Sequence, residues 1–312
     1  MMSIQKVIIV GANGRLGPSI LQALLDTPTF KVSVLVRASS KSTYPSTVNT
    51  LKIDDDLPSD QLVKAFQGQD AVVMAFSGTL KDASIKIANA AFETSTVKFI
   101  IPADFGSCDS ADPRSLDLVP LYVNKKDVRD HLVQLSQQKR SDGSSISWTS
   151  LVTGHFFDYG LKSGLLSMDV DKRTARVFDG GKDQFAATKL ATIGLVTSRA
   201  LQHADHPRIK NKMVYVQGVN TNQNELVAIV EKVVGHKFKI DNVDSEDFIT
   251  KYKAQFKNAD EDERRDIVEE LVSVEGIVNA DWEGTKGDAF VNDLLLPGPS
   301  ESLEDQVREA LK

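Results

Sequence analysis

The chain has 312 residues, 41% of them hydrophobic and 26% charged, with a formal net charge of −6. That composition belongs to a globular protein with ample core-forming sequence, and no basic stripe interleaved with aromatics offers itself to nucleic acid. The single cysteine, Cys108, excludes an internal disulfide and a Cys-rich zinc module. No apolar run reaches the ~20 residues that span a bilayer.

The N-terminus passes directly into a strand, "KVIIV" (6–10), with no apolar leader and cleavage site before it, so a cytoplasmic location is expected. Further β-branched apolar runs follow at "KVSVLV" (31–36), "DAVVMAF" (70–76), "VKFII" (97–101) and "SISWTSLV" (145–152). Between them, helical spacing predicts helices over 18–26, 59–67, 81–94 and 122–138. Pro18 suits the first helical turn, and Thr79 followed by Asp82 has capping-box spacing. Short continuous apolar strands alternating with helices indicate a doubly wound parallel sheet, an α/β Rossmann architecture.

Beyond residue 155 the pattern loosens. "HFFDYGLKSGLLSM" is aromatic and glycine-punctuated, and "ARVFDGGKDQF" is a strand turning through Gly180 and Gly181. "ATKLATIGLVTSRALQHA" reads as a helix and "KMVYVQG" as a strand. A helix from Asn222, with Glu225 three positions on, ends at Gly235. The acidic segment 241–312 is mostly helical and is expected to form a separate lobe, with "NADEDERRDIVEELV" as a solvated helix face and Trp282 in the lobe core or over a pocket. The division expected is a dinucleotide-binding domain over 1–155, and a region over 156–312 that completes the sheet and forms a smaller C-terminal substrate lobe.

The first strand runs into Gly11, Gly14 and Gly17 and then a helix. A pyrophosphate needs bare backbone N–H groups and a helix N-terminus, and glycines allow the tight turn and close helix packing this requires. The spacing is G-x-x-G-x-x-G, in the strand–loop–helix context that gives such a loop its meaning. Asn13, Arg15 and Leu16 complete the cofactor loop. The second strand ends in Arg37, where an NAD site offers a carboxylate, and Lys41 follows; two cations suit the 2′-phosphate of NADPH. Asp54 is expected to cap a turn, and Phe76, Ser77 and Gly78 to line the cofactor from the sheet's carboxyl edge.

These segments resemble the NmrA-like, isoflavone-reductase-like branch of the atypical short-chain dehydrogenases/reductases. The resemblance rests on "GANGRLG", "VLVRASS", "KFIIPADFG" (98–106) and "PLYVNKKDVRDHL" (120–132), is extended by "GHFFDYGL" (154–161) and "NELVAIVEKVVGHKF" (224–238), and spans roughly 4–250. It implies NADPH-dependent hydride transfer to a small aromatic or phenolic metabolite. The family frame sets its lysine three positions after an aromatic and three before an aliphatic. Tyr122, Lys125 and Val128 fit it, so Lys125 inherits the acid/base role and a cofactor contact. Ala103 replaces the usual serine of the strand-end turn. The family also includes dinucleotide-sensing regulators without turnover, which is the alternative function.

Tyr122 and Lys126 independently match the Y-x-x-x-K dyad of ordinary short-chain dehydrogenases, with i and i+4 on one helix face, so both proton-carrying arrangements stay open. Asp104 and Phe105 at the strand end, with His155, Phe156 and Phe157 as an aromatic wall with one polar tip, are the expected substrate contacts, one of the two phenylalanines being core. His203 and His206 have no third ligand in the sequence nearby, so no metal is expected. A monomer or homodimer working on a small molecule is the expected form.

Overall fold

The computed structural model describes residues 3–312. In chain order its elements are β1 (Lys6–Val10), α1 (Gly17–Leu25), β2 (Lys31–Arg37), β3 (Asn49–Ile53), α2 (Ser59–Phe66), β4 (Ala71–Met74), α3 (Lys81–Glu93), β5 (Phe99–Ile101), α4 (Pro113–Leu118), α5 (Pro120–Gln137), β6 (Ser147–Val152), β7 (His155–Phe156) and α6 (Phe157–Ser163). There follow β8 (Met168–Asp169), β9 (Thr174–Phe178), β10 (Phe185–Thr188), α7 (Leu190–Gln202), β11 (Lys212–Tyr215), β12 (Val219–Thr221), α8 (Gln223–Val234), β13 (Lys239–Val243), α9 (Ser245–Phe256), α10 (Glu261–Val278), α11 (Asn292–Leu295) and α12 (Leu303–Ala310). The described residues form two compact units, one of residues 3–104, 124–151 and 193–214, the other of 105–123, 152–192 and 215–312.

The first unit is a seven-stranded sheet in the order β11-β6-β5-β4-β1-β2-β3. Its pairs from β6 through to β3 run parallel, with Val10 beside Leu35 and Met74. The central strands β1, β4 and β5 are buried nearly throughout, which is why they read as unbroken apolar runs. Ile8, Val72 and Ile100 pack against Leu62, Phe66, Ile87, Val128 and Leu132 from α2, α3 and α5. On the other face α1 meets α7 so closely that a Cβ on Gly194 would lie 2.2 Å from the Ser19 carbonyl oxygen. Thr27 and Ser198 share a hydrogen bond of 2.7 Å across the same contact. Helices on both faces make this the doubly wound sheet.

Buried Arg140 closes the far end of α3. Its guanidinium donates to the carbonyls of Ala91, Phe92 and Val97 at 2.7–2.9 Å, satisfying orphan acceptors at a helix C-terminus.

The second unit takes up about as much of the chain as the first, where the sequence suggested a smaller lobe. It carries two three-stranded sheets, β12-β10-β7 and β13-β9-β8. The Gly180–Gly181 turn, with φ of +80° and +68°, leads from β9 in one sheet to β10 in the other, and Ala187, read as helical, belongs to β10. Asn222 caps α8 by accepting from the Glu225 N–H, and Gly235 ends it at φ +74°, as its residues foretold. Thr79 does not cap α3. Leu80 holds the N-cap position without a side-chain bond, because the Thr79 hydroxyl pairs with that of Ser77. The acidic helix α10 is solvated only over its first turns. From Ile267 onward it buries Leu271, Val274 and Ile277. Trp282 is core, edge-on to Tyr215 at 5.3 Å.

Candidate active site

At the carboxyl end of β1 the glycine loop is folded hard against the sheet. Gly11 has φ +91°, and a Cβ there would lie 2.8–2.9 Å from the backbone of Ala75 and Phe76. A Cβ on Gly17 would lie 2.2 Å from the Gly11 carbonyl oxygen, so only glycine lets α1 start this close to β1. Gly14 closes the turn with its N–H on the Gly11 carbonyl at 3.1 Å. Helix α1 begins without a side-chain cap and without an acidic residue in its first turn. Its first N–H groups and the positive end of its dipole are therefore suited to an anion.

Because β1 and β2 are neighbours, the loop after β2 lies alongside. The Asn13 amide donates to Ser42 at 2.7 Å, tying the glycine loop to the segment that follows Arg37. Arg37 and Lys41 are both exposed. Asp55 is held below the usual carboxylate range, first by its hydrogen bonds from Ser39 and in smaller part by the charge of Arg37. The Asp54 carboxylate accepts from the Gln61 amide, whose oxygen in turn accepts from the Asp54 N–H, so its side chain is engaged with α2. Phe76 follows β4 beside Gly11, with Ser77 and Gly78 next in the chain.

The end of β5 holds a strained turn. The Asp104 N–H donates to the Pro102 carbonyl at 2.9 Å, and Phe105 adopts φ +39°. That conformation costs a bulky residue about 1–3 kcal/mol and persists only where its surroundings enforce it. The turn directs Asp104 inward, 5% exposed. One carboxylate oxygen, Oδ2, accepts from the Ser150 hydroxyl in a short hydrogen bond and from Arg129 Nη1 at 3.4 Å. The other, Oδ1, is 3.8 Å from Lys125 Nζ. Lys125 and Arg129 stand one helical turn apart on α5, and both are buried. Arg129 also donates to the Met213 sulfur. Two cations and a carboxylate buried together at a sheet's carboxyl end are costly unless matched, and are the kind of cluster that serves chemistry.

Sequence reasoning singled out Lys125 and Asp104 but missed Arg129 and Ser150. The i, i+4 repeat of cations in "KKDVR" was the available signal for Arg129. Ser150 lies in a strand that is buried throughout, where a hydroxyl needs a partner.

The second unit places the Tyr122 hydroxyl 2.6 Å from Ser107 Oγ. Burial drives the phenol well above its ordinary range, and the neighbouring Cys108 and Glu275 push the same way. Glu275, fully buried on α10, accepts from Arg114, Ser115 and Asn279 at 2.9–3.1 Å. The sequence flagged no role for it, although its setting in the apolar "LVSVEGIV" was a clue. Lys126, the other half of the Y-x-x-x-K match, ion-pairs with Asp130 on the exposed side of α5. His155 is enclosed, edge-on to Phe185, and Gly276 packs so close that a Cβ there would lie 2.4 Å from Nε2. Burial lowers its pKa to about 4. Phe157 is fully buried core, and Phe156 is half-buried. Among the described residues no group of three or more His, Cys, Asp or Glu side chains is arranged to hold a metal. Among the described residues no helix is long and apolar enough to cross a membrane.

Residues 3–261 match the model of the NmrA-like family. The chain belongs to the NmrA-like family. The chain is similar to the oxidoreductase aprR of Aspergillus flavus, 32% identical over 243 residues, a match covering 78% of each chain. It is also similar to the phenylcoumaran benzylic ether reductase Betv6 of Betula pendula, 26% identical over 242 residues, covering 74% of this chain and 75% of that one. The NmrA-like fold is shared with the solved structure of AtPrR2 with NADP+ and (+)pinoresinol at a TM-score of 0.75 and 20% identity, over 99% of this chain and 100% of that one. The chain is thus an oxidoreductase of the NmrA-like family.

Proposed function

We propose that this NmrA-like oxidoreductase is an NADPH-dependent reductase of a small aromatic or phenolic metabolite, with Lys125 managing the proton. The observation that carries the reading is the burial of Lys125 against Asp104 at the carboxyl edge of the same sheet whose first turn forms the glycine loop. The loop fits a dinucleotide: its glycines draw α1 tight against β1, and the uncapped helix end leaves donors for a pyrophosphate. Gly11, Asn13, Gly14, Arg15, Leu16 and Gly17 would hold that group, Arg37 and Lys41 the 2′-phosphate, and Phe76, Ser77 and Gly78 the nicotinamide side. NADPH supplies the hydride when bound.

The residues of the chain then have one task beside binding, to meet the charge that develops on the acceptor with a proton or a fixed cation. Lys125 is suited to it by burial, and Asp104 is proposed to lie at the substrate's edge. The Tyr122/Lys126 dyad is less favoured. Its phenol holds its proton tightly and is bonded to Ser107, while Lys126 is engaged with Asp130. The aromatic substrate class draws on relatives described as a phenylcoumaran benzylic ether reductase and as a pinoresinol complex.

The test is calorimetric titration with NADPH and NADH, followed by single-turnover oxidation of bound NADPH with a panel of phenolic ethers, lignans and quinones. Turnover that survives in Tyr122→Phe and is lost in Lys125→Ala supports the reading. Tight NADPH binding with no turnover of any panel member would instead favour a dinucleotide sensor. Full turnover in Lys125→Ala would remove the lysine.

A further inference from the structure

Asp104 is tied down more firmly than a substrate contact needs to be. Its backbone is fixed by the Pro102–Asp104 hydrogen bond and by Phe105 at φ +39°. The oxygen Oδ2 is taken by Ser150 from β6 and by Arg129 from α5. What remains is Oδ1, which has no hydrogen-bond partner among the described residues and faces Lys125 Nζ at 3.8 Å. This distance is too long for a hydrogen bond but well within strong Coulombic range for groups buried to this degree.

We infer that Asp104 is a positioning residue that keeps Lys125 protonated without binding its ammonium, so that Lys125 enters the reaction as the proton donor. The inference rests on the proposed reductase reading and decides which half of "acid/base" applies. Two influences oppose Asp104. Desolvation disfavours the ammonium, and so does Arg129, the like charge one turn away on the same helix. Asp104 from the β5 turn faces Lys125 directly, and Arg129 from α5, which itself donates to Met213 of β11, and Ser150 from β6 share that carboxylate. The remaining charges on this stretch of α5 are neutralised pairwise, Asp127 by Lys81 and Lys126 by Asp130.

With Oδ2 bonded to Ser150 and Arg129 and Oδ1 3.8 Å from Nζ, the carboxylate supplies charge to Lys125 without a hydrogen bond to it. Bound NADPH would supply the hydride, with its electron pair, to the acceptor carbon. One N–H bond of Lys125 breaks as its proton passes to the acceptor oxygen, the lysine is left as a neutral amine, and solvent returns the proton after product leaves.

The experiment needs no substrate. Protein carrying lysine labelled with ¹³C at Cε is titrated by NMR from pH 6 to 11, and the Lys125 resonance is assigned by its loss in Lys125→Arg. In Asp104→Asn the midpoint at which Lys125 loses its proton falls by at least about one pH unit, the size expected for removing an opposite charge at this range. Asp104→Glu restores most of the shift. Arg129→Gln moves the midpoint upward, which covers the case in which Asp104→Asn does not fold. A midpoint within about 0.3 units of wild type in both Asp104→Asn and Arg129→Gln would overturn the inference. Lysine titration is independent of turnover, so the reductase reading fails separately, through Lys125→Ala retaining hydride transfer.

Discussion

Gly17→Ala tests whether the glycine loop is shaped for a ligand or only for packing. The added Cβ would sit 2.2 Å from the Gly11 carbonyl oxygen and 2.6 Å from the Ala12 carbonyl carbon. Both are backbone atoms of a turn already pinned against β4, so neither can swing aside. Overpacking of this kind costs about 1–3 kcal/mol, and the upper end applies where the neighbour is rigid. Alanine's better helix propensity returns at most about 1 kcal/mol, leaving a net loss near 2 kcal/mol. Gly14→Ala is the control. Its Cβ would meet the Ala75 oxygen at 3.2 Å, and its φ is not in the left-handed range, so its stability cost should stay within about 1 kcal/mol. If the loop cradles a pyrophosphate, Gly14→Ala still weakens NADPH binding at least tenfold, about 1.4 kcal/mol. Urea unfolding reads the first unit through buried Trp148 once Trp282, which lies in the second, is replaced by Phe. A Gly17→Ala protein as stable as wild type would refute the packing argument. A Gly14→Ala protein with unchanged NADPH affinity would refute the cradle.

Arg37→Glu should reverse the cofactor preference, with NADPH weakened at least tenfold, about 1.4 kcal/mol, and NADH unchanged or improved by calorimetry. An unaltered ratio would mean that Arg37 is a solvated strand end. Gly194→Ala should destabilise the first unit by about 2–3 kcal/mol, because its Cβ would lie 2.2 Å from the Ser19 oxygen; a urea midpoint equal to wild type would count against the close α1–α7 contact. His155 has a folded pKa near 4 against about 6.5 unfolded, so the unfolded chain binds the proton first. Its contribution is fully present above pH 6.5 and is lost on acidification toward pH 4, up to about 3 kcal/mol. Between pH 7 and 4.5, His155→Phe should lose less stability than wild type, and equal slopes would show that the ring is not buried neutral.

The first unit was legible because its central strands are buried on both faces and therefore read as unbroken apolar runs between glycine and proline signals. The edge strand β3, "NTLKI", went unread because all but Ile53 of it is exposed or half-buried, so it carries no such run. The capping box at Thr79 misled because a short hydroxyl has several acceptors within reach, and Ser77 offered a nearer partner. His155 was read as the polar tip of an aromatic wall. Whether a histidine is a wet tip or a neutral core ring depends on what closes over it, and that is Gly276, far along the chain in a helix whose sequence reads as solvated. Glu275 escaped for the same reason. Its burial depends on Arg114 and Ser115, which local pattern does not connect to it.

The two arrangements left open by α5 differ in what the fold gives them. Tyr122 and Lys126 share a helix face by spacing, yet the phenol is sunk beside Ser107, Cys108 and Glu275, while Lys126 finds Asp130 at the surface. A proton donor must give up its proton near neutral pH, and burial makes a phenol less willing to do so. Lys125 is buried too, but burial acts in the opposite sense on an ammonium, making it the readier donor unless a carboxylate holds the charge in place. Asp104 is in position to provide that restraint, and Arg129 to limit it. On the inference drawn above, Asp104 and Arg129 act on the lysine in opposite senses, and either one can be changed without touching the glycine loop that would hold the cofactor.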